Sequence, residues 1–127
     1  MDGRLVLLGL IVVITVVVAR DMKPTASAEQ LARERAAAFV LVEVDRTQQC
    51  YLRRRQRYAR SIPSLLFAGG HFMRTALRHR FDIRVRATAD GYVQRVTGEG
   101  IEAMLERRGT DVVRVEAPGD PELAAGC

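Results

Sequence analysis

The sequence has no tryptophan, a single lysine, two histidines and two cysteines. Aromatic residues make up 6% of its 127 positions, so any core has to be assembled mainly from Val, Leu and Ala. The cysteines, Cys50 and Cys127, lie too far apart in sequence to form a metal-binding knuckle. Neither His71 nor His79 has a second ligand four residues away, and no HExxH is present. There is no P-loop, and Gly98-x-Gly100 lacks the third glycine and the βαβ unit of a dinucleotide fingerprint. Gly69-Gly70-His71 stands without the G-x-S-x-G turn that would make it part of a hydrolase site. These absences remove the common zinc, nucleotide and hydrolase signatures. The chain reads as a non-enzyme, with no catalytic, cofactor or metal residues assigned and no small-molecule substrate.

Charge is abundant but unevenly placed. Twenty basic and fifteen acidic residues give a net +5. Residues 1–45 carry a net −1, residues 46–86 a net +10 with Asp82 as the sole acid, and residues 87–127 a net −4. The basicity belongs to one band, centred on Arg53, Arg54, Arg55, Arg57 and Arg60. Such a band can neutralise the phosphates of nucleic acid or of anionic lipid headgroups, which would make residues 46–86 a secreted or anchored polyanion-binding module, with Tyr51 and Tyr58 as candidate stacking surfaces. The alternatives are a solvated helix face and a protein partner, including the acidic half of another copy.

Long apolar runs are absent except for one. Leu5 to Ala19 contains no charge, and Leu5, Leu7, Leu8, Leu10, Ile11, Val12, Val13, Ile14, Val16, Val17 and Val18 are its membrane-anchor candidates. At helical rise it spans about 22 Å, short of the ~30 Å hydrocarbon layer. Two readings compete. A cleaved export signal would use the small-residue site Ala26-Ser27-Ala28 and release a secreted protein after Ala28. An uncleaved anchor would let Arg4, Arg20 and Lys23 snorkel to the interfaces. Charges at Arg20, Asp21 and Lys23, ahead of the cleavage site, favour the anchor. The expectation is therefore a single-pass membrane protein whose C-terminal domain lies outside the cytoplasm, although the count of flanking bases argues for the opposite orientation.

Beyond Pro24, residues 26–60 contain no Gly or Pro. Ser27 with Gln30 three residues later makes a capping-box start. The reading is a long helix of about thirty residues, ended by Ser61-Ile62-Pro63-Ser64. Leu65, Leu66 and Phe67 follow as an apolar plug, then a helical turn or two around Phe72, Met73, Ala76 and Leu77. From Phe81 the period switches to two, with Ile83, Val85 and Ala87 alternating against Asp82, Arg84 and Arg86. Ala89-Asp90-Gly91 turns the chain into a second strand from Tyr92 to Thr97. Ile101 to Arg107 fits either a helix or a strand. Val112 to Glu116 makes a further strand, and the tail from Pro118 is expected to fray. Three segments result: 1–25 as anchor or signal, 26–117 as an α+β domain and 118–127 as tail, the fold being a long N-terminal helix, apolar anchor plus amphipathic half, packed on a small antiparallel meander of three or four strands.

Gln48-Gln49-Cys50-Tyr51, then Arg57-Tyr58-Ala59, then Ser61-Ile62 and Leu65, with Asp90-Gly91-Tyr92-Val93 later, give the chain a pattern. It resembles the type IV pilin and pseudopilin superfamily, in which an apolar N-terminus feeds one long helix, a loop and an antiparallel meander. The resemblance implies a third strand at residues 101–107. It also implies a minor subunit or accessory of a pilus, secretion or DNA-uptake apparatus. The partners would be the membrane and other pilin-like or secretion-apparatus subunits or self, with nucleic acid second to these. The chain departs from the pattern in having no carboxylate inside the apolar run, so prepilin processing and glutamate-registered polymerisation are not implied. Were the domain exported, Cys50 and Cys127 could pair in an oxidising compartment; otherwise they are two separate thiols.

Overall fold

Residues 26–123 and 127 are described by a computed structural model. Helix α1 runs from Ala26 to Arg55. Its buried positions include Ala37, Val40, Leu41, Val44 and Gln48, a spacing of three and four that draws one stripe along the helix. The helix ends at Arg55, with Arg53, Arg54 and Arg55 in its last turn, where positive charge meets the negative end of the helix dipole. Gln56 then takes a left-handed conformation at φ 61°.

This end comes earlier than the sequence suggests. Ser61 and Pro63 do not stop α1 but start α2, Ile62–Phe67, with the Ser61 hydroxyl accepting from the Ser64 amide. Pro is tolerated in a first helical turn because no N–H is needed there. Of the apolar plug, only Leu65 is buried, while Leu66 and Phe67 face solvent. Helix α3, Met73–His79, closes on a left-handed Arg80.

Four strands follow: β1 Asp82–Ala87, β2 Gly91–Gly98, β3 Ile101–Arg108 and β4 Asp111–Glu116. They form an antiparallel sheet in the order β1-β2-β3-β4. The open choice at residues 101–107 is settled as strand. Ile101, Ala103, Leu105 and Arg107 are buried on one face, with Met104 buried as well on the other, and the four pair with Gly98, Val96, Gln94 and Tyr92 of β2. The inward residues of β2 and β3 pack with the α1 stripe, and Tyr58, Ala59, Leu65, Phe72 and Ala76 close the core. The α+β fold, with a long helix on a four-stranded antiparallel meander, agrees with the expectation from sequence, while the apolar anchor half expected of that helix lies outside the described residues. Leu31–Cys127 clusters as one compact unit.

The expected single-pass membrane topology, with an extracytoplasmic C-terminal domain, is corrected. Among the described residues no helix is long and apolar enough to cross a membrane. The physical reason lies in α1, which carries Glu29, Arg33, Glu34, Arg35, Glu43, Asp45 and Arg46 through its length. The membrane and secretion roles attached to that topology lose their support with it. The anchor candidates from Leu5 to Val18 lie outside the described residues.

Candidate binding surface

The polar chemistry of the molecule is divided between a buried network and an exposed band. The network begins at Asp45, on the buried stripe of α1 and fully excluded from solvent. Tyr92 and Arg107 are directly opposed on β2 and β3, so both point at the helix. Arg107 grips the Asp45 carboxylate with two bonds, Nε to Oδ1 and Nη2 to Oδ2, each 2.7 Å. The Tyr92 hydroxyl donates to Oδ1 at 2.5 Å. Gln94 Nε2 donates to the Leu41 carbonyl and to the Tyr92 oxygen, while Gln94 Oε1 has no partner among the described residues. Arg107 Nη1 also reaches the Thr110 carbonyl.

These contacts set the electrostatics. Burial, reinforced by the neighbouring Asp45 charge, pushes the Tyr92 phenol far above its ordinary range. The hydrogen bond to Asp45 raises Arg107 further, and burial raises Tyr58. All three groups therefore hold their protons at neutral pH. A carboxylate held by a bidentate guanidinium and a neutral phenol is a structural clamp.

A second clamp is built from the residues that carry the pilin resemblance. The Gln48 amide pairs with the Ala59 backbone twice, Nε2 to O at 2.9 Å and N to Oε1 at 2.8 Å. Gln49 Nε2 donates to the Tyr58 hydroxyl, which donates to the Gly109 carbonyl. The Tyr58 and Tyr92 rings lie 4.8 Å apart at 46°. Gln48, Gln49 and Tyr58 thus tie the loop after α1 to both the helix and the sheet.

The band is the opposite in character. Arg53, Arg54, Arg55, Arg57 and Arg60 are all exposed. Among the described residues, none of them makes an ion pair. Tyr58, anticipated as a stacking surface beside them, is 6% exposed and committed to Gly109. Tyr51 is half-buried and packs against the core. Neither tyrosine therefore gives the band an open stacking face, and the exposed ring beside Arg54 and Arg55 is that of Phe67; the guanidinium groups themselves suit phosphate or sulfate oxygens.

Cys50 and Cys127 are joined in a disulfide, so the chain end is tied to α1 while Leu123 packs on the core. The tail is held at its last residue. His71 is exposed and His79 lies against the Phe81 ring at 5.6 Å. Among the described residues no three His, Cys, Asp or Glu side chains converge in a way that would hold a metal ion. Sequence reasoning missed Asp45, Arg107 and Gln94 as a unit. The one available signal was the helical spacing of Asp45, four residues after Leu41 and next to Val44 and Gln48 on the buried stripe. Comparison with protein-family models, with curated proteins and with solved structures returns no match.

Proposed function

We propose that the chain is a non-enzymatic subunit of pilin-like architecture, which acts by presenting surfaces to other subunits. The observation that carries this reading is the arrangement of one thirty-residue helix on a four-stranded antiparallel meander, locked by the Gln48–Ala59 and Gln49–Tyr58 contacts. Its buried ionisable groups are engaged with one another, as expected of a rigid presenting scaffold. The test is the assembly state of the full chain isolated from its native host, by sedimentation and negative-stain microscopy. Recovery in a multi-subunit assembly supports the reading, and recovery as a monomer at every concentration overturns it.

A second reading rests on the exposed, unpaired arginines of residues 53–60, which favour a polyanionic partner. Binding of heparin or DNA by such a band falls steeply with salt, with a slope of about −0.9 per phosphate neutralised on duplex DNA. Replacing Arg53, Arg54 and Arg55 by Gln reduces that slope by about 2–3. Unchanged retention on a heparin column would sink it.

A further inference from the structure

The sheet has two edges, and they differ. Strand β4 is six residues long, Asp111-Val112-Val113-Arg114-Val115-Glu116, and every one of its residues is exposed. Val112, Val113 and Val115 show 40%, 46% and 38% of their surface. It has no proline and no lysine; its charges are Asp111, Arg114 and Glu116, and the register shift between Glu106 and Arg107 leaves Val113 as an extra residue without a register partner on β4 itself. Strand β1 is also six residues long, about 20 Å when extended. An open groove of about 700 Å³ lies between it and residues 60–63. Ile62, Ile83 and Val85 supply apolar surface there, and Arg60, Arg84 and Arg86 supply charge.

The charges of the two edges are complementary. Residues 78–86 carry a net +3; β4 itself carries a net −1, with Glu116 bridged to Arg114, and Asp120 and Glu122 beyond the strand bring residues 111–122 to −3. On β1 and β2, Arg84 stands directly opposite Arg95, a like-charge pair that destabilises a sheet unless an anion relieves it. Asp82 and Glu102 each take one of the two. Arg60 and Arg86 have no ion pair among the described residues, nor does Asp111 on β4. The alternation also matches. Val115 shares the helix-side face with Leu105, and Ile83 and Val85 share that face with Val96 and Gln94.

We infer that β4 of one copy adds to β1 of a second copy, extending the sheet head to tail. This rests on the reading of the chain as an assembling subunit. The added strand satisfies both rows of unpaired backbone groups, its valines extend the apolar face, and its acids meet Arg60, Arg84 and Arg86. The contact joins two different patches, so it does not stop at a dimer and propagates into a chain or a closed ring of subunits.

Two full-length variants test it. Arg84→Glu with Arg86→Glu reverses the β1 rim and leaves β4 intact, and Val113→Lys blunts β4 and leaves β1 intact. Both sites are exposed, so circular dichroism and thermal midpoint should match the parent. Sedimentation velocity of the parent should show concentration-dependent association that weakens with salt. Each variant alone should associate about tenfold more weakly or less. Mixed one to one, they should form dimers that stop, because each supplies the edge that the other lacks. Association of both variants equal to that of the parent overturns the inference while leaving the subunit reading in place. No dimer in the mixture overturns it as well. A monomeric parent overturns both, even where an unrelated acidic peptide binds the β1 groove.

Discussion

Asp45 and Arg107, sixty-two residues apart in sequence, meet through two 2.7 Å hydrogen bonds between the C-terminal half of α1 and the last buried position of β3. The Asp45 side chain is fully buried and that of Arg107 is 6% exposed. Taking both charges out of water is costly, and their attraction together with the Tyr92 and Thr110 contacts offsets that cost. The value of the pair lies in register. A helix rotated or slid on the sheet would leave a buried charge without its partner.

The first prediction follows from that asymmetry. Asp45→Ala leaves the Arg107 guanidinium buried without its carboxylate and should cost about 3–5 kcal/mol. Arg107→Met should cost a similar amount by stranding Asp45. The double variant should be much less destabilised than the sum of the two, because neither charge remains. Urea unfolding of the four proteins measures the coupling. Additive losses would show that the pair does not act as a unit.

Tyr92 makes the same region sensitive to alkali. The fold holds its phenol protonated well above the ordinary tyrosine range, whereas in the unfolded chain it ionises near pH 10. Its contribution is therefore fully present below about pH 10. It is lost as pH rises from there, because only the unfolded state gives up the proton. Tyr58, raised by burial, adds in the same direction. Stability should fall by about 1.4 kcal/mol per pH unit for each such group above pH 10. Tyr92→Phe should be less stable at pH 7 by about 1 kcal/mol, through the lost bond to Asp45. Above pH 10 its stability should fall less steeply than the parent's. Thermal midpoints from pH 8 to 11 compare the two slopes.

Much of the fold could be read from residue spacing, and the exceptions share a cause. The change of period at Phe81, the Asp90-Gly91 turn and the Gly-free stretch from Ala26 each announced an element that the structure contains. Ile101 to Arg107 stayed ambiguous because Ile101, Met104 and Leu105 also fall at helical spacing, and because the inward Arg107 does not mark the strand face. An arginine at a core position reads as polar, so the alternation of Ile101, Ala103 and Leu105 reads as ending one step early. Only its pairing with Asp45, set by tertiary contact, makes that inward position tolerable. The end of α1 was misplaced for a related reason. Tyr58 and Ala59 look like helical apolar positions, but the Gln48 amide offers the Ala59 backbone a partner outside the helix. The exposed arginine band was legible as charge alone, whereas the removal of Tyr58 from it depended on a carbonyl fifty-one residues away.

Two glycines should respond differently to alanine. At Gly91 an added Cβ would fall 1.7 Å from the Arg107 carbonyl oxygen and 2.6 Å from its carbon. Backbone cannot give way there without separating β2 from β3 beside the Asp45 clamp. At Gly100 the same atom meets nothing within 4 Å, but the residue holds φ +71°, which costs alanine about 1 kcal/mol. Gly91→Ala should thus lose several times what Gly100→Ala loses, on the order of 3 kcal/mol or more. Equal midpoints in denaturant would show that β2 and β3 do not approach as closely as described.

The disulfide closes a loop of 77 residues between the C-terminal part of α1 and the chain end. In the chain-entropy account, a loop of that length restricts the unfolded state by about 4 kcal/mol, and measured values usually fall at 2–4. It also retains the tail, whose Leu123 packs on the core. Cys50→Ser with Cys127→Ser should still fold, because the α1 stripe, the Asp45 clamp and the sheet do not depend on the bond. Its thermal midpoint should drop by about 10–20 °C. Reductant should lower the parent to the same value and leave the double variant unmoved. Both proteins are compared in thermal scans with and without dithiothreitol. A parent indifferent to reductant would show that α1 and the sheet are held together without help from the bond.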